Sequence, residues 1–115
     1  LTGYEMFLFR PPYGDYDNDV VKNARANHYY PIQWDVDSLD WKDYGADDII
    51  KRVTEDSHLG SGSIILCHNG AKYTKDALDT LITTLQEKGY EFVPISQLIY
   101  KDNYHIDHEG RQIAD

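Results

Sequence analysis

The chain has 115 residues, a formal net charge of −9 and 41% hydrophobic residues, which is enough for one domain at most. Ten tyrosines and two tryptophans supply more apolar burial than a disordered segment carries. The acidic balance excludes nucleic acid as a partner, because such binding needs a basic face to neutralise phosphates, and a neutral or cationic substrate fits better. No stretch approaches the roughly 20 apolar residues of a membrane span.

The first part of the sequence predicts a strand, a loop and a helix. Met6 to Phe9 is a short apolar strand. It ends at Arg10-Pro11-Pro12-Tyr13-Gly14, because two prolines followed by glycine continue neither a strand nor a helix. Asp17 to Asn27 has apolar residues at helical spacing, with Asp17 or Asp15 as the cap.

The middle of the sequence predicts two further strands with a helix between them. Tyr29 to Trp34 is aromatic and β-branched, and this strand leads into an acidic loop from Asp35 to Trp41. Asp47 to Thr54 has the apolar face of a helix. Ser63 to His68 is apolar on both faces, as expected for a buried parallel strand.

The last part predicts one helix, one strand and a polar extension. Ala77 to Leu85 carries the apolar stripe of the clearest helix, with Thr74 as a plausible cap and Gly89 at its end. A last strand follows around Phe92 and Val93, and residues 101–115 form a polar C-terminal extension. Strands and helices alternate, so the predicted fold class is α/β with βαβ units in a parallel sheet or barrel.

Polar residues follow three of the predicted strands at their carboxyl ends. Arg10 follows the first strand, carboxylates follow the second, and His68 closes the third. Reacting groups of parallel α/β domains lie at this edge. We therefore expect an arginine, a set of carboxylates and a histidine to meet there; the carboxylates are Asp35, Asp37 and Asp40.

Two other clusters predict no site. Asp15 to Asp19 imitates a calcium loop, but Val20 and Ala26 stand where that loop needs glycine and glutamate. His105 and His108 lie in the polar extension, where no rigid element is expected to hold a metal.

Cys67, the only cysteine, excludes a disulfide framework and a cysteine-based zinc knuckle. Neighbouring strand residues point to opposite faces, so Cys67 and His68 cannot form a nucleophile and base pair, and we expect Cys67 to be a small core residue.

Three segments occur in a fixed order: Arg10-Pro11-Pro12-Tyr13, then Asp37-Ser38-Leu39-Asp40-Trp41, then Leu66-Cys67-His68. They match the patterns RxPY, DxxDW and LxH, and together they resemble the polysaccharide deacetylases of the NodB-homology type, carbohydrate esterase family 4. The resemblance implies a distorted (β/α) barrel. Residues 1–100 would be the C-terminal half of that domain, and the sequence would begin inside it.

The family holds a divalent metal, usually zinc, with an aspartate and two histidines from two earlier motifs. Neither motif occurs in this sequence, so the chain itself offers no metal ligands. The resemblance therefore implies that the ligands come from an N-terminal half-domain, present as a separate chain or a swapped copy. It also implies that this chain is inactive by itself.

With that half supplied, the resemblance implies metal-dependent hydrolysis of acetyl groups on a polysaccharide, outside bacterial cells or at their surface. The substrate would carry N-acetylated amino sugars of peptidoglycan or chitin type. His68 would protonate the leaving amine, Asp40 would orient His68, and Arg10 would hold the catalytic base of the other half. The sequence does not decide whether Asp40 or Asp37 is the partner of His68.

The resemblance also assigns the walls of the substrate pocket. Tyr13 would offer its backbone N–H to the oxyanion, and Trp41 and Leu66 would contact the acetyl methyl. Two other functions stay open: a non-catalytic carbohydrate-binding module that stacks sugars on Trp34, Trp41 and tyrosines, and an inert fragment of a deacetylase.

Overall fold

The structure, a computed structural model, describes residues 7–11, 14–107 and 111–115. Its contacts divide the chain into two compact units, Leu1–Gln33 and Trp34–Asp115. The expectations for Met6, Tyr13 and His108 lie outside the described residues.

The first unit contains the predicted β–α–β arrangement. Its elements are β1 (Leu8–Phe9), α1 (Asn18–Ala26) and β2 (Tyr30–Pro31), and the two strands pair in parallel. Asp17 is the cap of α1, because its Oδ1 accepts the N–H of Val20 at 2.9 Å. None of the nine residues of α1 is buried.

The second unit begins with another parallel β–α–β arrangement. Its elements are β3 (Val36–Asp37), α2 (Ala46–Glu55) and β4 (Ile65–Leu66). The prediction of a strand over 29–34 followed by an acidic loop was wrong in its bounds, since strand β2 stops at Pro31 and β3 lies inside the predicted loop. Apolar and polar residues alternate from Ile32 to Asp37, so the pattern gives no sign that one strand stops at Pro31 and another begins at Val36.

The core of the second unit lies where α2 packs against α3 (Thr74–Glu87). It is built from four buried side chains, Val36, Val53, Leu81 and Leu85. The predicted stripe of α3 is confirmed at Ala77, Leu81 and Leu85, whereas Leu78 is exposed. Gly89 follows the helix with φ +93°, a conformation that glycine adopts without strain.

The end of the chain differs from the prediction. Phe92 and Val93 are exposed and form no strand, and none of the strands that the structure describes pairs with them. A short helix α4 (Ile95–Leu98) follows, and then β5 (Tyr104–Ile106) pairs antiparallel with β6 (Gln112–Ala114). The polar extension therefore contains a hairpin.

The fold is mixed α/β with parallel strands, as the alternation of elements predicts. The described strands form three two-stranded sheets, and a closed barrel is not among them. Among the described helices, none is long and apolar enough to cross a bilayer.

Candidate active site

The candidate site centres on a contact between a buried carboxylate and a histidine. Oδ1 of Asp40 lies 2.8 Å from Nδ1 of His68. The Asp40 side chain has no exposed surface, while 41% of the His68 side chain is exposed. The pair thus joins a fixed anion to an imidazole that solvent or substrate can reach.

Three donors converge on the carboxylate of Asp40. Besides the imidazole, its Oδ2 accepts the backbone N–H of His68 at 2.8 Å and the hydroxyl of Thr74 at 2.6 Å. Burial alone raises the pKa of Asp40, but the bonds from Thr74 and His68 outweigh it, so the pKa lies below its usual 3.8. Asp40 is therefore ionised at neutral pH.

The chain before and after Asp40 is folded tightly. Asp37 Oδ1 accepts the N–H of Leu39 at 2.9 Å, which closes a short Asx turn. Leu39 has φ +52°, and a 3₁₀ turn then runs over Asp40–Lys42. Asp43 Oδ1 accepts the N–H of Lys72 at 3.2 Å, which ties this loop to the segment that follows His68.

Of the three expected carboxylates, only Asp40 contacts His68. Asp35 instead accepts the N–H of Ile64 at 2.7 Å and the hydroxyl of Ser63 at 2.9 Å, beside the start of β4. The expectation that all the carboxylates serve one reactive edge was wrong for Asp35 and Asp37, because Asp37 accepts a backbone N–H of its own loop and Asp35 accepts donors of the segment that leads into β4. The geometry also separates Asp40 from Asp37 as the partner of His68.

The other expected site residues occupy different places. Arg10 directly follows β1 in the first unit, and its meeting with His68 stays a prediction. Leu66 is buried at the end of β4, and Trp41 is 54% exposed in the 3₁₀ turn next to Asp40.

Cys67 is exposed, so the prediction of a core cysteine was wrong. The physical reason is that β4 ends at Leu66, and the alternation of a strand does not extend to Cys67 and His68. The thiol makes a hydrogen bond with the buried Ser38.

Thr74 and Ser38 were missed as site residues. The sequence predicts Thr74 as the cap of α3, but Tyr73 is the cap residue, and the Thr74 hydroxyl donates to Asp40 instead. Ser38 Oγ accepts the backbone N–H of Asp40 at 3.3 Å. A hydroxyl spaced between two aspartates, as in Asp37-Ser38-Leu39-Asp40, is the one local signal that could have pointed to Ser38.

The arrangement is suited to proton transfer. An ionised carboxylate only accepts hydrogen bonds, so the Nδ1 of His68 carries the proton of the short contact. This leaves Nε2 as the atom that can accept or deliver a proton. A histidine whose Nδ1–H is held by a buried aspartate is a recurring general acid or base.

Comparison with known proteins agrees with these features. The chain is 39% identical over 114 residues to the peptidoglycan N-acetylglucosamine deacetylase PgdA of Listeria monocytogenes, which covers 99% of this chain and 22% of that protein. It superposes on the Bc1960 peptidoglycan N-acetylglucosamine deacetylase with a TM-score of 0.76 at 36% identity, covering 84% of this chain and 46% of that structure. The chain belongs to carbohydrate esterase family 4, the polysaccharide deacetylases.

The similarity extends to a family 4 protein without activity. The chain superposes on BA3943, a family 4 pseudoenzyme from Bacillus anthracis, with a TM-score of 0.74 at 38% identity, covering 84% of this chain and 34% of that structure. The chain spans 20% to 46% of the length of the curated peptidoglycan deacetylases it matches. No protein-family model matches it.

Family 4 deacetylases typically depend on a metal. Within residues 7–11, 14–107 and 111–115, no three His, Cys, Asp or Glu side chains come together as a metal site would require. In particular, His68 and Asp40 bind each other. The described residues therefore do not fit the family's metal, and no reaction step of this chain is derived through it.

Proposed function

We propose that this chain takes part in the hydrolytic removal of acetyl groups from N-acetylated amino sugars of a bacterial cell-wall polysaccharide. The contact between Asp40 and His68 carries this proposal, because it provides a proton donor for the leaving amine. The printed names of the relatives support the substrate class, since PgdA and Bc1960 are peptidoglycan N-acetylglucosamine deacetylases.

The proposed step is protonation of nitrogen as the amide breaks. Hydrolysis adds the hydroxyl of water to the acetyl carbon, and the catalytic base of the completed domain takes the water's other proton. The bond from that carbon to nitrogen then breaks, and the nitrogen lone pair takes a proton from Nε2 of His68. The products are acetate and a free amino sugar. The ionised Asp40 stabilises the imidazolium before transfer and fixes the ring through Nδ1.

The remaining roles follow from the family. We assign Arg10 to holding the catalytic base of the completed domain and the Tyr13 N–H to the oxyanion. Trp41 and Leu66 are assigned to the pocket for the acetyl methyl. The exposed ring of Trp41 beside Asp40 supports its place next to the reacting group.

The domain organisation is also part of the proposal. Residues 1–100 form the C-terminal half of a distorted (β/α) barrel, and residues 101–115 form an extension of it. The ligands of the divalent metal, which is zinc in this proposal, come from family motifs outside this sequence. The protein works outside the cell or at its surface, where the polysaccharide lies.

The test is acetate release from an N-acetylated cell-wall oligosaccharide, measured for the chain alone and for the chain combined with the N-terminal half of a family 4 domain and zinc. We expect no release by the chain alone. The combined enzyme should lose about 10²–10⁴-fold in kcat on His68→Ala, with unchanged metal content. An activated acetyl ester needs little protonation of its leaving group, so the defect should shrink on it. Equal defects on both substrates would contradict the assigned role of His68.

A second candidate function is sugar binding without catalysis. The exposed aromatic rings of Trp41 and Tyr44 favour it, and so does the likeness to the pseudoenzyme BA3943. Under this reading the combined protein binds the oligosaccharide but releases no acetate, and His68→Ala changes nothing.

A further inference from the structure

An asparagine followed by a glycine lies directly after the candidate acid His68. Asn69-Gly70 is the only such pair in the sequence. The two residues form a turn, both are exposed, and Gly70 has φ +78°. Apart from its chain neighbours, no described residue lies within 4 Å of the position that a Cβ on Gly70 would occupy. The turn is therefore open around the side chain of Asn69 and the backbone nitrogen of Gly70.

Hydrogen bonds hold the chain on both sides of this turn but not within it. The backbone N–H groups of His68 and Lys72 donate to two aspartates of the loop that bears the site, at 2.8 and 3.2 Å. In the part of the chain that the structure describes, neither Asn69 nor Gly70 makes a hydrogen bond. The side-chain amide and the next backbone nitrogen can therefore approach each other without breaking one.

Asn27 provides the contrast within the same chain. It is exposed as well, but its Nδ2 donates to the carbonyl of Asn23 at 2.8 Å. The N–H of the following His28 donates to the carbonyl of Arg25 at 3.0 Å. Exposure is thus common to both asparagines, whereas freedom from hydrogen bonds distinguishes Asn69.

We propose that Asn69 is a site of spontaneous deamidation, with water as the co-reactant. The backbone nitrogen of Gly70 attacks the side-chain carbonyl carbon of Asn69, a bond forms between them, and the bond from that carbon to the amide nitrogen breaks. The amide nitrogen leaves as ammonia with the proton that the Gly70 nitrogen loses, and a succinimide ring remains. Water then opens the ring at either carbonyl and leaves aspartate or isoaspartate. Glycine permits this attack because it has no Cβ to obstruct the nitrogen.

The modification places a carboxylate next to the candidate acid. Either product carries a negative charge where Asn69 has none, and isoaspartate also lengthens the backbone by one methylene group. A neighbouring negative charge favours the imidazolium form of His68, so the ring should stay protonated to a higher pH after deamidation. The consequence for acetyl removal rests on the proposed function, whereas the modification itself does not.

The experiment incubates the 115-residue chain at mildly alkaline pH, folded and in urea, and follows each asparagine by peptide mass spectrometry. In the folded chain we expect Asn69 to convert at least about tenfold faster than Asn27, whose hydrogen bonds must first break. The folded-state rate at Asn69 should lie within about threefold of its rate in urea, because a turn without hydrogen bonds opens at little cost. Similar folded-state rates at the two asparagines, or stronger protection of Asn69 by folding, would overturn the proposal.

Variants separate the chemistry from its consequence. Asn69→Gln should abolish the mass change at this position, and Gly70→Ala should slow it several-fold by adding the obstructing Cβ. Asn27→Gln is the matched control and should leave the rate at Asn69 unchanged. Asn69→Asp reproduces one product, and an NMR titration of His68 that matches the wild type would contradict the electrostatic effect. If Asn69 deamidates while His68→Ala keeps full acetate release, the proposed role of His68 fails and the modification site stands.

Discussion

The two units of this chain start from the same β–α–β plan but bury very different amounts of apolar surface. In the second unit, Ile49 and Val53 of α2 are buried, with 3% and 0% of their surface exposed. In the first unit, no residue of α1 is buried, although Val20 and Val21 lie at helical spacing. The difference arises because α2 packs against α3. Among the described residues of the first unit, no second helix packs against α1 in the same way.

The comparison teaches that an amphipathic pattern produces a helix without producing a core. The Asp17 cap and the apolar spacing are sufficient to define α1. Most of the free energy of folding comes from removing apolar surface from water, so α1 contributes little until another surface covers it. The same reasoning makes α2 and α3 the elements that fix the loop bearing Asp40.

The largest expected loss of folding stability comes from a substitution in the core of the second unit. Ile49→Ala should lower the free energy of unfolding by about 2–5 kcal/mol, because it removes a fully buried side chain and leaves a cavity. The matched change Val21→Ala in α1 should cost less than about 1 kcal/mol, since Val21 is only partly covered. Urea unfolding followed by circular dichroism measures both. Similar losses at the two positions would show that the first unit has a core of its own.

A smaller loss of folding stability is expected when the second unit is brought to acid pH. The pKa of Asp40 is lowered in the folded state, so the stability that its charge contributes is complete above the unfolded pKa of about 4 and is lost as pH falls through the folded pKa. Thr74→Val removes a donor that lowers this pKa, so the folded pKa should rise toward the unfolded value, and the loss should be smaller and complete at a higher pH than in the wild type. Thr74→Ser keeps the donor and serves as the control. The melting temperature as a function of pH measures the shift, and identical acid profiles for Val and Ser would contradict it.

The smallest effect is expected at the start of α1. Asp17→Ala removes the acceptor for the N–H of Val20 and should cost about 0.5–2 kcal/mol of local helix stability. Asp17→Asn retains a capping oxygen and should cost less. Amide hydrogen exchange measured in α1 and in α3 distinguishes a local from a global loss of stability. If the protection factors of α1 fall less than those of α3 in Asp17→Ala, the role of Asp17 is not local.

The sequence predicts elements well where the pattern is local and repeated. The helices α1, α2 and α3 are confirmed, because each carries several apolar residues at helical spacing, and Gly89 ends α3 through a conformation that glycine favours. Parallel pairing is also confirmed, since alternation of strands with helices leaves few other arrangements.

The prediction fails where distant partners decide the outcome. The alternation of apolar and polar residues over 32–37 does not show that one strand ends at Pro31 and another begins at Val36, because the partners β1 and β4 decide where each strand forms. Phe92 and Val93 have strand propensity, but none of the described strands pairs with them. In the polar end of the chain, the side chain of Gln112 bonds both the N–H and the carbonyl of Tyr100, which supports the hairpin without an apolar core.

The same limit applies to the candidate site, because the sequence does not show which distant residues its side chains contact. The motif places His68 and two aspartates near each other, but only the contact at Asp40 Oδ1 distinguishes Asp40 from Asp37. The role of Thr74 depends on α3 packing behind the loop, and no spacing within the sequence contains that information.

The exposed thiol of Cys67 has a consequence for the chemical durability of the site. Partial burial raises the pKa of Cys67, and the carboxylates of Asp40 and Asp37 raise it further against the opposing hydrogen bond from Ser38. Oxidants and electrophiles attack the thiolate rather than the thiol. The carboxylate that orients His68 therefore also disfavours the thiolate of the neighbouring Cys67, which lowers the fraction of this exposed thiol that oxidants and electrophiles can attack.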